Sequence, residues 1–440
     1  YDRPETANGV RIKNVDIGSG WDGAFTEGNI VNFALDADNK FFYIGENNTW
    51  RNSGDPTSGA AGTGGIPYGN QDFANRILHP AFGSGNAGGT KVYDLNFGQK
   101  GFAYTPPTGY SAPQQDNFPE TDKGIPDFVW IKNRDSTDAH AFYDSSRGPQ
   151  KEWLNSESSE STVSDGLQKF LKGGVQIEDD VALNTNGESY VAWNWVGNNG
   201  TEVANTAGSG ATVATTVQAN DTAGFSICRF QGTGSTLKFA HGLSATPEWF
   251  ITKRLDAGAG AATSVYHTFN GINKYLHLNE TDAMVDSGAA TSQFTGVSST
   301  NITLGSNSNS NNNGSDVVAY VWRSVEGFSK FGSYTGTGNA SGPFIYTGFK
   351  PAWIMVKQNN STGGWIICDN IRSPINPVNK LLSANITNSE STFTSLDILS
   401  NGFKQRNTDT GYNGNGSTYV YMAFAEHSFF GNGTNPVTAR

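Results

Sequence analysis

The chain has 440 residues, room for two to four domains that each bury a core. Charged residues make up 16% and hydrophobic residues 36%, below the usual ~25% and ~45–50%, which excludes a charge-driven disordered polymer and a helical rod. The net charge of -11 comes with no basic block, so counterion release cannot drive nucleic-acid binding, and no apolar run exceeds strand length, which excludes a membrane span. Gly (54), Asn, Ser and Thr fill the difference, and these residues favour turns over helix interiors. With an aromatic share of 12%, the composition points to an all-β protein. The first residue is Tyr with no signal segment behind it, so the chain reads as a processed product or the ordered part of something longer.

In chain order, Val31 to Ile44 reads as a strand, an acidic turn and a second strand. Asp36-x-Asp38-Asn39 has oxygen ligands for Ca²⁺ but lacks the Gly and distal Glu of the helix-loop-helix motif, so a hairpin turn is the better reading. A Gly/Ser/Pro loop follows from Asn52 to Gly65. From residue 116 the chain repeats. Three segments open on Pro and run through aromatics to Lys: Pro126 to Lys132, Pro247 to Lys253 and Pro351 to Lys357. Each reads as a buried strand, with Trp130, Trp249 and Trp353 as the shared core residue. Each repeat closes on Asn-Gly (Asn186-Gly187, Asn313-Gly314, Asn415-Gly416) before a β-branched and aromatic run, which predicts a type I′ hairpin. The last two repeats also share an opening strand, Phe225 to Gly234 against Phe328 to Gly338, so repeat one should match them over its later strands only. Residues 198–223 carry no large apolar side chain beyond Val and read as a linker or exposed ribbon. The expected division is 1–115 as a partial sandwich, 116–200 as repeat one, 201–326 as ribbon plus repeat two, and 327–440 as repeat three.

Candidate chemistry is sparse. Tyr143-Asp144-x-x-Arg147-x-Pro149 recurs as Cys368-Asp369-x-x-Arg372-x-Pro374, whereas repeat two has His267 and Asn270 there. An Asp and an Arg three apart can pair with each other or meet sugar hydroxyls; the spacing is read as a structural brace. Trp50, Trp153 and Trp365 lie beside turns or polar loops and are the ligand-stacking candidates. Glu178-Asp179-Asp180 is read as a solvated face. The six histidines show no zinc spacing, Cys228 and Cys368 fit no metal or redox motif and read as buried hydrophobes, and there is no P-loop or Gly-x-Ser-x-Gly elbow. No catalytic residue, cofactor or metal is expected.

Phe33 to Tyr110, with Ala34-Leu35-Asp36-x-Asp38 and Asn96-Phe97-Gly98-Gln99 before Phe102-Ala103-Tyr104-Thr105-Pro106-Pro107, resembles the second half of the SPRY or concanavalin-like sandwich of tailed-bacteriophage structural proteins. Phe142-Tyr143-Asp144-Ser145-Ser146-Arg147-Gly148, Val325 to Gly336 and Tyr421 to His427 resemble the repeat units that follow it in marine phage tail and tail-fibre proteins. The resemblance implies tandem antiparallel β-sandwich domains in a virion component, a tail fibre or similar appendage that contacts the host envelope without catalysis. It implies other virion proteins as partners, a homo-oligomer with a trimer favoured, and a host-surface glycan as possible ligand. A polysaccharide depolymerase and a purely structural decoration or filament protein are the alternatives.

Overall fold

The computed structural model describes residues 9–12, 15–19, 28–36, 38–68, 96, 102–110, 124–155, 159–205, 210–256, 262–288 and 292–425. They are almost entirely antiparallel strands, an all-β fold of sandwich type. The chain divides into two compact units, 1–122 and 123–440, a boundary seven residues beyond the expected one.

In the first unit, Val31–Asp36 pairs with Phe41–Glu46, and short strands Thr49–Trp50 and Ile66–Pro67 complete a four-stranded sheet. Asp36 closes the turn by accepting from Asn39, at 2.8 Å from the backbone N–H and 2.9 Å from the side chain, so its carboxylate is used locally. Most of 69–101, including Phe97-Gly98-Gln99 of the phage-like segment, lies outside the described residues.

The second unit is built on the repeats. The Pro-led strands are Phe128–Asn133, Trp249–Arg254 and Pro351–Gln358, each paired with a closing strand, Tyr190–Trp195, Asp316–Trp322 and Thr418–Ala425. On its other side each Pro-led strand pairs with a second strand, Ala141–Asp144, Ser264–His267 and Trp365–Asp369. These strands are buried on both faces, which is why their sequences run apolar without alternation. Along Val317 to Trp322 the alternation reappears as a choice between two cores: Val318, Tyr320 and Trp322 face one, Val317, Ala319 and Val321 the other.

The inner faces of all three repeats meet in one aromatic core holding Trp130, Trp195, Trp249, Trp322, Trp353 and Trp365. Ring contacts cross between repeats, as with Phe128 and Tyr320 (4.1 Å), Trp195 and Trp322 (5.8 Å) and Trp130 and Trp353 (6.4 Å). The outer faces bury smaller cores belonging to single repeats. The repeats are therefore sandwich-like layers that share their inner side.

The ring they form is closed. The Glu160 N–H donates to the Leu255 carbonyl, Met284 to Asn359 and Glu390 to Arg134, each at 2.8 Å, so repeat one is tied to two, two to three and three to one. Equivalent backbone bonds, Asn155 to His140 (3.0 Å), Leu278 to Thr263 (2.8 Å) and Ala384 to Trp365 (2.8 Å), mark three positions that converge. There the buried Asn155 side chain donates to the carbonyls of both Leu278 (3.1 Å) and Ala384, closing the three repeats around one amide.

Three details differ from the sequence reading. The residue level with Trp249 and Trp353 is Phe128, not Trp130: Phe128 pairs with Asp144 as Trp249 does with His267 and Trp353 with Asp369, and Trp130 lies two residues on, on the same inner face. The opening strands, Phe225–Gln231 and Ser329–Thr335, align Phe225 with Ser329 opposite Trp322 and Phe424, so the shared Gly-Phe at their start is displaced by one residue. The Asn-Gly turns are not I′ hairpins. Gly187, Gly314 and Gly416 have φ of +86°, +78° and +72°, while none of the preceding Asn has positive φ, and the strand that follows pairs with the Pro-led strand rather than folding back on its predecessor. In repeats two and three a single helical turn, Ser308–Asn311 and Thr410–Asn413, precedes these glycines. Its last Asn is buried and holds the opening strand, Asn311 accepting from Thr233 N–H (2.7 Å) and Asn413 from Thr337 N–H (2.8 Å). The segment 198–223 is a ribbon whose strands Val203–Asn205 and Thr215–Asn220 extend the sheet of repeat two. Among the described residues repeat one has no opening strand, and Tyr190–Trp195 ends its sheet.

Asn155→Ala removes the donor from two buried carbonyls, each worth ~1–3 kcal/mol when orphaned, so the second unit should lose about 2–5 kcal/mol in denaturant unfolding. A loss below 1 kcal/mol would show that the amide does not hold the ring.

Candidate functional site

Each seam between repeats begins at the last residue of a second strand: Asp144, His267 and Asp369. Asp144 Oδ1 accepts from the Arg147 N–H (2.8 Å) and Oδ2 from Arg147 Nε (2.5 Å), while Nη1 reaches Glu160 (3.0 Å) and Nη2 the Phe142 carbonyl (3.1 Å). Repeat three has the same set atom for atom. Asp369 accepts from the Arg372 N–H (2.8 Å) and Nε (2.6 Å), and Nη1 and Nη2 donate to Glu390 (3.0 Å) and the Ile367 carbonyl (3.1 Å). The turn after the strand forces this, because the Asp caps the N–H three residues on and so lays the Arg side chain back along the strand.

The next repeat completes each set. Tyr320 OH donates to Asp144 Oδ2 (2.6 Å) and accepts from Trp153 Nε1 (3.2 Å). At the equivalent place Trp193 Nε1 donates to Asp369 Oδ2 (3.3 Å), and Arg372 lies 5.6 Å from the Trp193 ring centroid. Glu390 also takes a two-pronged bond from Arg134 of repeat one, at 3.0 and 2.9 Å. Side chains of both Arg are 2% exposed. Burial works against the Arg147 charge, but Asp144, Tyr320 and Glu160 outweigh it and hold its pKa above the ordinary value. Burial likewise opposes ionisation of Glu390, and bonds from Arg134 and Arg372 overcome it, leaving its pKa lowered.

The seam between repeats two and three carries no charged brace. His267 Nδ1 accepts from the Phe269 N–H (3.0 Å), Asn270 Oδ1 accepts from Asn359 Nδ2 (2.8 Å), and Met284 stands where Glu160 and Glu390 stand elsewhere. Burial pushes His267 down to about 4, which keeps it neutral. Three buried lysines share one place in the repeat. Lys132 donates to the carbonyls of Asn133 (2.5 Å) and Ser136 (3.0 Å), Lys357 to those of Gln358 (2.7 Å) and Thr281 (3.2 Å), and Lys253 lies 5.6 Å from the Trp153 ring. Burial lowers Lys132 and Lys357 to about 8.

Two ligand candidates are corrected by burial. Trp153 and Trp365 are 0% exposed, because both point from their strands into the shared core; Trp365 Nε1 donates to the His277 carbonyl (2.8 Å). Trp50 is partly exposed and set edge-on to Tyr43 at 6.4 Å. Glu160, Glu390, Tyr320 and Trp193 belong to the seams without any motif that marks them in the sequence, since they come from other strands at unequal spacings. Beside the first seam a polar cleft of about 260 Å³ is lined by Arg147, Lys151, Glu160, Arg229, Asp256 and Asp316. Among the described residues no cluster of three or more His, Cys, Asp or Glu could hold a metal, and no helix is long and apolar enough to cross a membrane.

Residues 110–428 match a family model described as a domain of unknown function, DUF7483. The chain belongs to that family. The matched region contains all three repeats, so the closed ring with its seams is the body of this DUF7483 member. No curated protein and no solved structure matches the chain.

Arg147→Ala and Arg372→Ala each leave a buried carboxylate unpaired and should lower stability by about 3–5 kcal/mol, and Lys at either position should not restore it because it lacks the planar fork. Chemical denaturation of the four variants checks this; a Lys variant as stable as wild type would contradict it. His267 gives a pH signature. Its pKa is depressed on folding, so the unfolded chain takes up the proton first and stability is lost as pH falls from the ordinary value of 6.5 to about 4. Asp127 and Glu152, raised by burial, act in the opposite sense. The effect is isolated by comparing wild type with His267→Asn, whose loss over that window should be smaller by roughly 3 kcal/mol.

Proposed function

We propose that the chain is a structural component of a bacteriophage virion, a tail fibre or similar appendage that presents loops to the host envelope and performs no catalysis. The observation that carries this reading is where the chemistry sits. Both recurring Asp-Arg pairs are spent inside seams between repeats, while the turn that joins the third-repeat pair and the residues just after it expose large apolar side chains, Ile371 at 77% and Ile375 at 78%. A frame locked at three seams fixes loop ends and leaves loop tips free to differ, which suits adhesion better than turnover. The ordered resemblance to phage tail proteins supplies the particle. Trp50 is the remaining aromatic candidate for stacking on a sugar ring, since Trp153 and Trp365 are buried.

The test has two arms. Mass spectrometry and immunogold labelling of purified particles should find the chain on the virion tail, and the purified protein should compete with phage for adsorption. Ile371→Asp/Ile375→Asp should keep the melting temperature and lose most of that competition. Absence from particles, or release of new reducing ends from host capsule, would sink the reading.

A further inference from the structure

The three seams differ in what lies over them. At the first, the opening strand Phe225–Gln231 is followed outward by the ribbon strands Thr215–Asn220 and Val203–Asn205. Gln218 on this ribbon donates to the hydroxyls of Ser145 and Ser146 at 2.8 Å each, and Arg229 donates to the Ser146 carbonyl at 2.8 Å. The loop after Asp144 is thus covered, and its side chains beneath the ribbon are serines.

At the second seam the counterpart of that opening strand, Ser329–Thr335, ends its sheet among the described residues. The loop after His267, which takes the place of the loop after Asp144, carries Phe269 and Ile272, 51% and 48% exposed. Trp249 links His267 to the strand, its ring 5.1 Å from that of His267 and 6.2 Å from that of Phe331. Past Ser329, whose N–H donates to the Val325 carbonyl (2.9 Å), no strand among the described residues pairs with the outer edge of this one, which has no proline and a single charge, Lys330. Edges of this kind pair unless they are blunted.

We propose that this edge is the dimer interface of the protein: a second copy adds its own Ser329–Thr335 antiparallel to it, where the ribbon lies at the first seam. The strand is complementary to itself. With Gly332 facing Gly332 across a two-fold axis, Lys330 faces Tyr334 and Phe331 faces Ser333, while Ser329 stays bonded to Val325 of its own chain. No like charges meet, and Lys330 is set beside an aromatic ring. Ser333 and Thr335 share the inner face of the strand with Phe331, and their side chains are small. Antiparallel pairing of identical strands is isologous, so the assembly is a dimer and not the trimer that the phage resemblance implies. The inference goes beyond the virion reading and does not depend on it.

Sedimentation velocity of the full chain over a concentration series tests it, with hydrogen exchange as the second readout. The expected results are a reversible dimer, slower exchange of the 329–335 amides at dimer-populating concentration than after dilution, and a dimer weakened by roughly tenfold or more in Phe269→Asp/Ile272→Asp. Both substituted side chains are half exposed, so the variant should fold, and exchange on the wild type decides the matter should it not. A monomer at all concentrations, a trimer, a dimer whose 329–335 amides are unprotected, or an undiminished dimer in a folded double variant would each overturn the proposal.

Discussion

Everything in the larger unit depends on one shared aromatic core. Each repeat turns the same face of its central sheet inward, and large rings there touch rings of the other two repeats. A repeat taken alone would expose that face to water, at a cost of ~25 cal/mol for each Å² of apolar surface. The repeats are consequently domains by sequence and layers by packing. Stability belongs to the ring, and the small outer core of repeat one, six residues, shows how little that repeat retains for itself.

A core of rings is insensitive to direction, so the polar seams specify how the layers sit. Each seam is a backbone bond plus a side-chain set from two repeats, and the sets are not the same. Two use Asp, Arg and Glu with an aromatic donor from the neighbour, and one is neutral with His, Asn and Met. A repeat carrying Asp144 or Asp369 in the neutral seam would keep its own guanidinium but meet Met422 in place of the donor that Tyr320 or Trp193 supplies to the carboxylate. The inequality of the seams thus selects one circular order of three similar pieces, a use of buried polar groups for register rather than for net stability. Asn155 at the convergence point acts similarly, since only one of the three equivalent positions bears a side chain able to donate to the other two.

The same economy explains why chemistry is hard to find. The charges that pattern could single out as a site are neutralised against each other under a covering of Trp and Tyr, with each guanidinium nitrogen of Arg147 and Arg372 directed to an acceptor. Among the described residues the loops after the second strands of repeats two and three expose Phe269, Ile272, Ile371 and Ile375, and Ser329–Thr335 ends the sheet of the third repeat.

The all-β class, the number of repeats, the burial of the Pro-led strands and the Asp-Arg spacing were legible in the sequence, because these follow from local alternation, turn residues and side-chain reach. The sequence could not show that the three repeats share a core. Trp153 and Trp365 illustrate the reason: beside polar loops they fit a core position or a ligand contact, with core packing the favoured reading, and only the packing of one repeat on another shows them covered. The same limit hid Glu160, Glu390, Tyr320 and Trp193, whose roles arise from contacts up to 256 positions apart. The Asn-Gly turns failed differently, since the dipeptide fixes a glycine at positive φ but the strand's partner is chosen by the sheet. Local chemistry set the elements and their caps; the tertiary structure decided which faces were inside, because burial against a distant repeat leaves no period in the chain.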